Sequence, residues 1–158
     1  MRQENGGGIC QVSSTLYNAV AYANLRVLER ECHQFQVGYL PAGMDATVSW
    51  GWPDFRFINT KIYPIQIHAW VDDETNECCV QILGTDYEHV YTIMRFNRWT
   101  TYDETGEYVD EEGNAKAIGT EAATWRVLYH DGDDWATAKP INESYEYYSK
   151  YHYHSEDI

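Results

Sequence analysis

Only one stretch of this chain carries the periodicity of a helix, and that limits its fold more than any other feature. Between Cys10 and Ala23, the residues Val12, Leu16, Ala19, Val20 and Ala23 recur three and four positions apart, which gathers them into one apolar stripe. Gly6-Gly7-Gly8 leads in and Asn24 supplies a stop, because both residue types tolerate positive φ. Everything later reads as strand and turn. Residues 26–33, 36–40, 45–50 and 55–59 are extended candidates, with Gly51-Trp52-Pro53-Asp54 as a hairpin-like turn between the last two. Ile65, Ile67, Ala69 and Val71 alternate with more polar neighbours, residues 72–76 form the next turn, and 79–83 the following strand, ended by Gly84. Further candidates are 91–101, 125–129 and 135–138, the last two flanking the hairpin signal His130-Asp131-Gly132-Asp133. The class is α+β. One N-terminal helix packs on a mostly antiparallel sheet in residues 1–84, and a small β-rich C-terminal part follows in 85–158. Its tyrosine-rich tail is expected to lose order in the last residues.

Charge narrows the partners. Twenty-five acidic residues against 11 basic ones give a net charge of −14, which repels phosphate backbones and anionic lipid. Nucleic acid is therefore excluded as a partner. No apolar run approaches the roughly 20 residues of a spanning helix, so this segment is not expected to insert in a membrane, and no signal peptide is visible. The 14 Tyr and 6 Trp suit half-buried sheets. No metal or cofactor is expected. The four cysteines, at 10, 32, 78 and 79, contain no CxxC pair, and the acidic run from Asp103 to Glu112 lacks the alternating order of a calcium loop. Adjacent Cys78 and Cys79 would face opposite sides of a strand, while spacing leaves a Cys10–Cys32 bridge open.

The residues with most chemical promise stand at the helix start. Cys10 follows three glycines, where first-turn N–H groups are unpaired and the helix dipole places partial positive charge beside the sulfur. Both favour a reactive thiolate, and the same N–H groups suit an oxyanion. Gly8 lets a substrate backbone approach, and Gln11 lies beside it. A thiol nucleophile needs a base, and the base an orienting partner. His33 and Asp45 follow in the chain order Cys, His, Asp of papain-like peptidases, with Asp54 in reserve for Asp45. Each has a plain structural alternative. Cys10 would pack under the helix start, His33 would be an ordinary hydrogen-bonded histidine, and Asp45 would form a turn. Ser13, Ser14 and Thr15 would bond back to the helix backbone. An internal thioester between Cys10 and Gln11 is disfavoured, because helix neighbours point about 100° apart.

The segment GGGICQVSSTLYNAV, residues 6–20, resembles the signature of the VanW-like family. The likeness continues through Val27-Leu28-Glu29-Arg30 and His33, then Val37, Tyr39 and Pro41. GMDATV at 43–48, Asp54-Phe55-Arg56-Phe57 with Asn59, and Tyr63-Pro64-Ile65 extend it. It covers residues 6–84. Two departures stand beside His33, where Cys32 and Gln34 replace the family's usual proline and small or hydroxylic residue. The family also implies further chain before the triple glycine, where this sequence has Met1 to Asn5. The resemblance implies an extracellular or cell-envelope location, a link to the cell wall, and Cys10, His33 and Asp45 as positions of interest. Two readings result. One is a thiol hydrolase or acyl transferase acting on peptidoglycan peptides. The other is a non-catalytic wall-binding module, with a structural Cys10 and with Trp50 and Trp52 contacting a peptide or glycan ligand.

Overall fold

The computed structural model describes residues 7–154; the expectations for the first glycine of the lead and for the last residues of the tail lie outside them. Helix α1 runs Ile9–Tyr22. It opens on Gly8, whose φ of 91° is left-handed, and closes on Asn24 with φ 54°. Asn24 N–H donates to Ala21 O and Leu25 N–H to Val20 O, each at 3.1 Å, the Schellman pattern that consumes orphan carbonyls at a helix end.

Among the described residues the strands are antiparallel, as expected, but the one sheet expected in residues 1–84 is two separate two-stranded ladders, and the C-terminal part expected to be small carries a three-stranded sheet. β1 (Arg26–Glu29) pairs with β2 (Arg56–Ile58), and β3 (Gln66–Asp72) with β4 (Glu77–Leu83) in unbroken register. The largest sheet has the order β5-β6-β7, from β5 (Val90–Tyr102), β6 (Ala117–His130) and β7 (Asn142–His152).

Three expected strands are absent. Residues 36–40 form no strand, and within 45–50 only Thr47 is paired, in an isolated antiparallel bridge with Glu31. Residues 135–138 are a turn: the Asp134 carbonyl accepts the N–H groups of Thr137 and Ala138, and its carboxylate accepts that of Ala136. That local capping winds the chain away from β6 until Asn142.

Two packed clusters join the first and second halves of the chain. Tyr17 and Ala21 of α1 meet Met44, Ala46 and Met94, with Val27, Phe55 and Tyr147 around them; Ala42, Ala122 and Tyr151 form the other, with Cys32 beside it. Between them runs the irregular segment 42–46, buried at every residue. Buried irregular backbone must find hydrogen-bond partners outside a ladder, and here side chains supply them. The Gly43 N–H donates to Tyr151 Oη at 2.7 Å, and Asn18 donates to Met44 O at 2.7 Å. Arg30 Nε donates to Asp45 O, and Ser14 Oγ both accepts from Ala46 N and donates to Ala46 O. Ser13 reinforces the last bond at 2.6 Å. Ser14 and Asn18 stand four residues apart, on one face of α1, which is why both reach this segment. Ser13 does bond back to the helix, at Cys10 O, as Thr15 does at Gln11 O; the expectation for Ser14 is corrected, because its hydroxyl crosses to Ala46 instead.

Candidate active site

Cys10 is the second residue of α1. Among the described residues no side chain caps this helix start, and its first turn holds no acidic residue, so the dipole there is not offset from within the helix. The partly buried thiol donates to Val48 O at 3.3 Å and lies 3.6 Å from Thr47 Oγ1. All four cysteines are free.

His33 reaches the site from the other side of the same segment. The Glu31–Thr47 bridge is antiparallel, so two residues onward along one strand and two residues back along the other place His33 opposite Asp45. The backbone N–H of His33 donates to Asp45 Oδ2 at 2.8 Å, and Nδ1 lies 2.6 Å from the same oxygen. An ionised carboxylate only accepts, so Nδ1 is the donor of this bond, and whenever the ring is neutral its lone pair lies on Nε2.

Asp45 is 0% exposed. Its other oxygen accepts Arg30 Nη2 at 3.0 Å and the Tyr151 hydroxyl. Arg30, equally enclosed, donates onward to Ser149 Oγ at 2.7 Å and lies over the rings of Tyr17 and Tyr147, 5.2 and 5.5 Å from their centroids. A buried ion pair is tolerable when further hydrogen bonds support it, and here each guanidinium nitrogen of Arg30 and each oxygen of Asp45 has a partner. Burial first, and then the neighbouring Asp45 carboxylate, push the Tyr151 phenol up, so it stays protonated and donates.

The structure therefore brings His33 and Asp45 into direct contact. It places Cys10 beside Thr47 and Val48, two and three residues further along the segment, where two extended residues span about 6.6 Å. The sulfur bonds those residues and not the imidazole. Asp54 does not bond His33; it is exposed, with its carboxylate accepting the Phe55 N–H. It shares a shallow pocket of about 280 Å³ with Ile9, Val48 and Trp50. Trp50 is 103% exposed and Trp52 66%. On the other side of the helix start, Gln11 lines a groove of about 430 Å³ with Asn18, Tyr39, Glu77 and Cys78. Gly8 presents open space where a Cβ would be.

Four contributors escaped the sequence reading. Arg30 appeared only within a motif, Ser14 as a helix hydroxyl, and Ser149 and Tyr151 within the tail. For the last two a signal existed: Tyr147, Ser149 and Tyr151 alternate, as one face of a strand does.

This chain belongs to the VanW-like family: the model described as "VanW like protein" matches residues 1–82. Among curated relatives, it is 61% identical to protein YoaR of Bacillus subtilis (strain 168) over 64 residues, 40% of this chain and 21% of that protein. It is 33% identical to the vancomycin B-type resistance protein VanW of Enterococcus faecalis (strain ATCC 700802 / V583) over 138 residues, 79% of this chain and 48% of that protein. The chain thus spans less than half the length of either relative. No solved structure matches it.

Proposed function

We propose that this chain is a cell-envelope domain that performs thiol-dependent acyl transfer on amide bonds of peptidoglycan peptides. The observation that carries this reading is the His33–Asp45 pair, which leaves Nε2 without a hydrogen-bond partner among the described residues and available as a base, on the stretch bridged to the segment that holds the Cys10 sulfur. The envelope location and the wall substrate rest on family membership and on the resistance role in the name of the VanW relative. No helix among the described residues is long and apolar enough to cross a membrane.

In the proposed reaction the Cys10 thiol leaves its bond to Val48 O and gives its proton to His33 Nε2. The sulfur bonds to the amide carbon, and the C=O electron pair moves onto oxygen, facing the Ile9 and Cys10 N–H groups at the helix start, since Gly8 O takes those of Gln11 and Val12. The C–N bond then breaks, and His33 returns the proton to the departing amine. Water or a second amine takes the acyl group from sulfur, which makes the outcome hydrolysis or transfer.

Stem peptides incubated with the protein should yield an acyl adduct on Cys10 by intact mass, together with released amine. Cys10→Ala should lose both. Unchanged turnover by Cys10→Ala would refute the thiol mechanism. The exposure of Trp50 and Trp52 favours a second reading, a binding module whose indole faces stack on a wall ligand. That reading takes over if no adduct forms while retention on insoluble peptidoglycan depends on Trp50 and Trp52.

A further inference from the structure

The family match ends at residue 82, yet the carboxylate that orients His33 is held from beyond it. Tyr151 is 1% exposed, on β7. Its hydroxyl donates to Asp45 Oδ1 and accepts the Gly43 N–H, so one phenol bonds both the carboxylate and the backbone two residues before it. Two positions away on the same face, Ser149, also 1% exposed, accepts from Arg30, the other donor to Asp45 Oδ1. Gly43 lets the segment lie close against β6: its φ is 89°, and a Cβ there would lie 2.8 Å from Thr124 Cγ2. Gly119 does the same for the strand itself, since a Cβ there would lie 2.2 Å from Tyr151 O.

We infer that Tyr151 is a positioning residue of the candidate site, tuning how strongly Asp45 holds the His33 ring, and that β7 is therefore a working part of that site. This rests on the proposed base role of His33. The physics is a competition. A carboxylate relieved of one donor becomes a stronger acceptor for those that remain, so loss of the Tyr151 hydrogen bond tightens the Asp45 bond to His33 Nδ1–H. A residue that merely fills space has no such effect.

The test is proton NMR of the full chain, following the low-field resonance of His33 Nδ1–H assigned by its loss in His33→Ala. Tyr151→Phe should move that resonance further downfield. Site-specific replacement of Tyr151 by a fluorinated tyrosine keeps the shape but makes the phenol a stronger donor, and should move it upfield. The second variant decides the matter if Tyr151→Phe does not fold. Opposite displacements support the inference. An unmoved resonance in the folded variants, displacement in one direction by both, or no low-field resonance in the wild type would overturn it. The acyl-adduct assay separates the two ideas. A Cys10 adduct with an unmoved resonance removes only the Tyr151 role, whereas opposite displacements without an adduct leave the positioning intact and remove the thiol mechanism.

Discussion

Two carboxylates withdrawn from solvent, Asp45 and Asp103, show how differently one side chain can be secured. Asp45 accepts four hydrogen bonds from Arg30, His33 and Tyr151, which lie up to 106 residues away in sequence. Asp103 accepts three, all from Thr105 and Tyr108 of its own loop. The first arrangement exists only when residues 30–33, the 42–46 segment and β7 are assembled; the second needs only a turn. Long-range fastening ties a charge to global stability, and local fastening to the stability of one loop.

Asp45→Ala tests that contrast with the largest expected effect. It leaves the Arg30 charge buried without its partner, which should cost roughly 3–5 kcal/mol in urea unfolding. A loss as small as that of a surface substitution would mean the cluster is not integral to the fold. Gly43→Ala should follow, at roughly 1–3 kcal/mol for a side chain forced to positive φ, before any adjustment of Thr124.

The pH responses should separate as well. Hydrogen bonds from the Tyr108 N–H and from Thr105 pull Asp103 down to about 2. A depressed carboxylate stabilises the folded form above its ordinary range near 3.9 and loses that contribution as pH falls through about 2. Hydrogen exchange should therefore quicken in residues 103–116 at low pH, and in Asp103→Asn at neutral pH, with little change in α1. Tyr151 works in the opposite sense. Its phenol is raised, so its contribution is whole below the ordinary tyrosine value near 10 and fades as pH climbs above it. Alkaline unfolding that is global, and moves in Tyr151→Phe, would sharpen the comparison. Trp50→Ala should do least, changing stability by less than about 0.5 kcal/mol, since its side chain touches little.

What could be read beforehand follows the same division. Helix start and stop are local chemistry, so Gly8 and Asn24 marked them in advance. The β3–β4 hairpin was legible for the same reason, from the alternation of Ile67, Ala69 and Val71 and the turn after them. His33 and Asp45 could be named but not joined by any local rule, because their contact depends on the Glu31–Thr47 bridge. Residues 45–50 have strand-like composition, yet the Ser14, Asn18 and Arg30 side chains take backbone bonds that a ladder would have used around residues 44–46. The strand misplaced at 135–138 went the other way, since Asp134 offered a local turn that won. Tyr151 was passed over because it lies in a polar tail, although Tyr147, Ser149 and Tyr151 alternate there and pair in unbroken register with Thr124, Ala122 and Thr120.

The central claim is that Cys10 is a thiol made reactive by its helix start and by His33, and residue-resolved alkylation tests it most directly. Iodoacetamide at near-neutral pH, read by peptide mass spectrometry, reports all four cysteines in one sample. Cys79 supplies an internal contrast, because desolvation and the Glu77 carboxylate push its thiol up and so slow it. The account predicts that Cys10 labels faster than Cys32, Cys78 and Cys79 in the folded protein, and that His33→Ala slows Cys10 alone. Labelling of Cys10 no faster than the others, or only after denaturation, would contradict it.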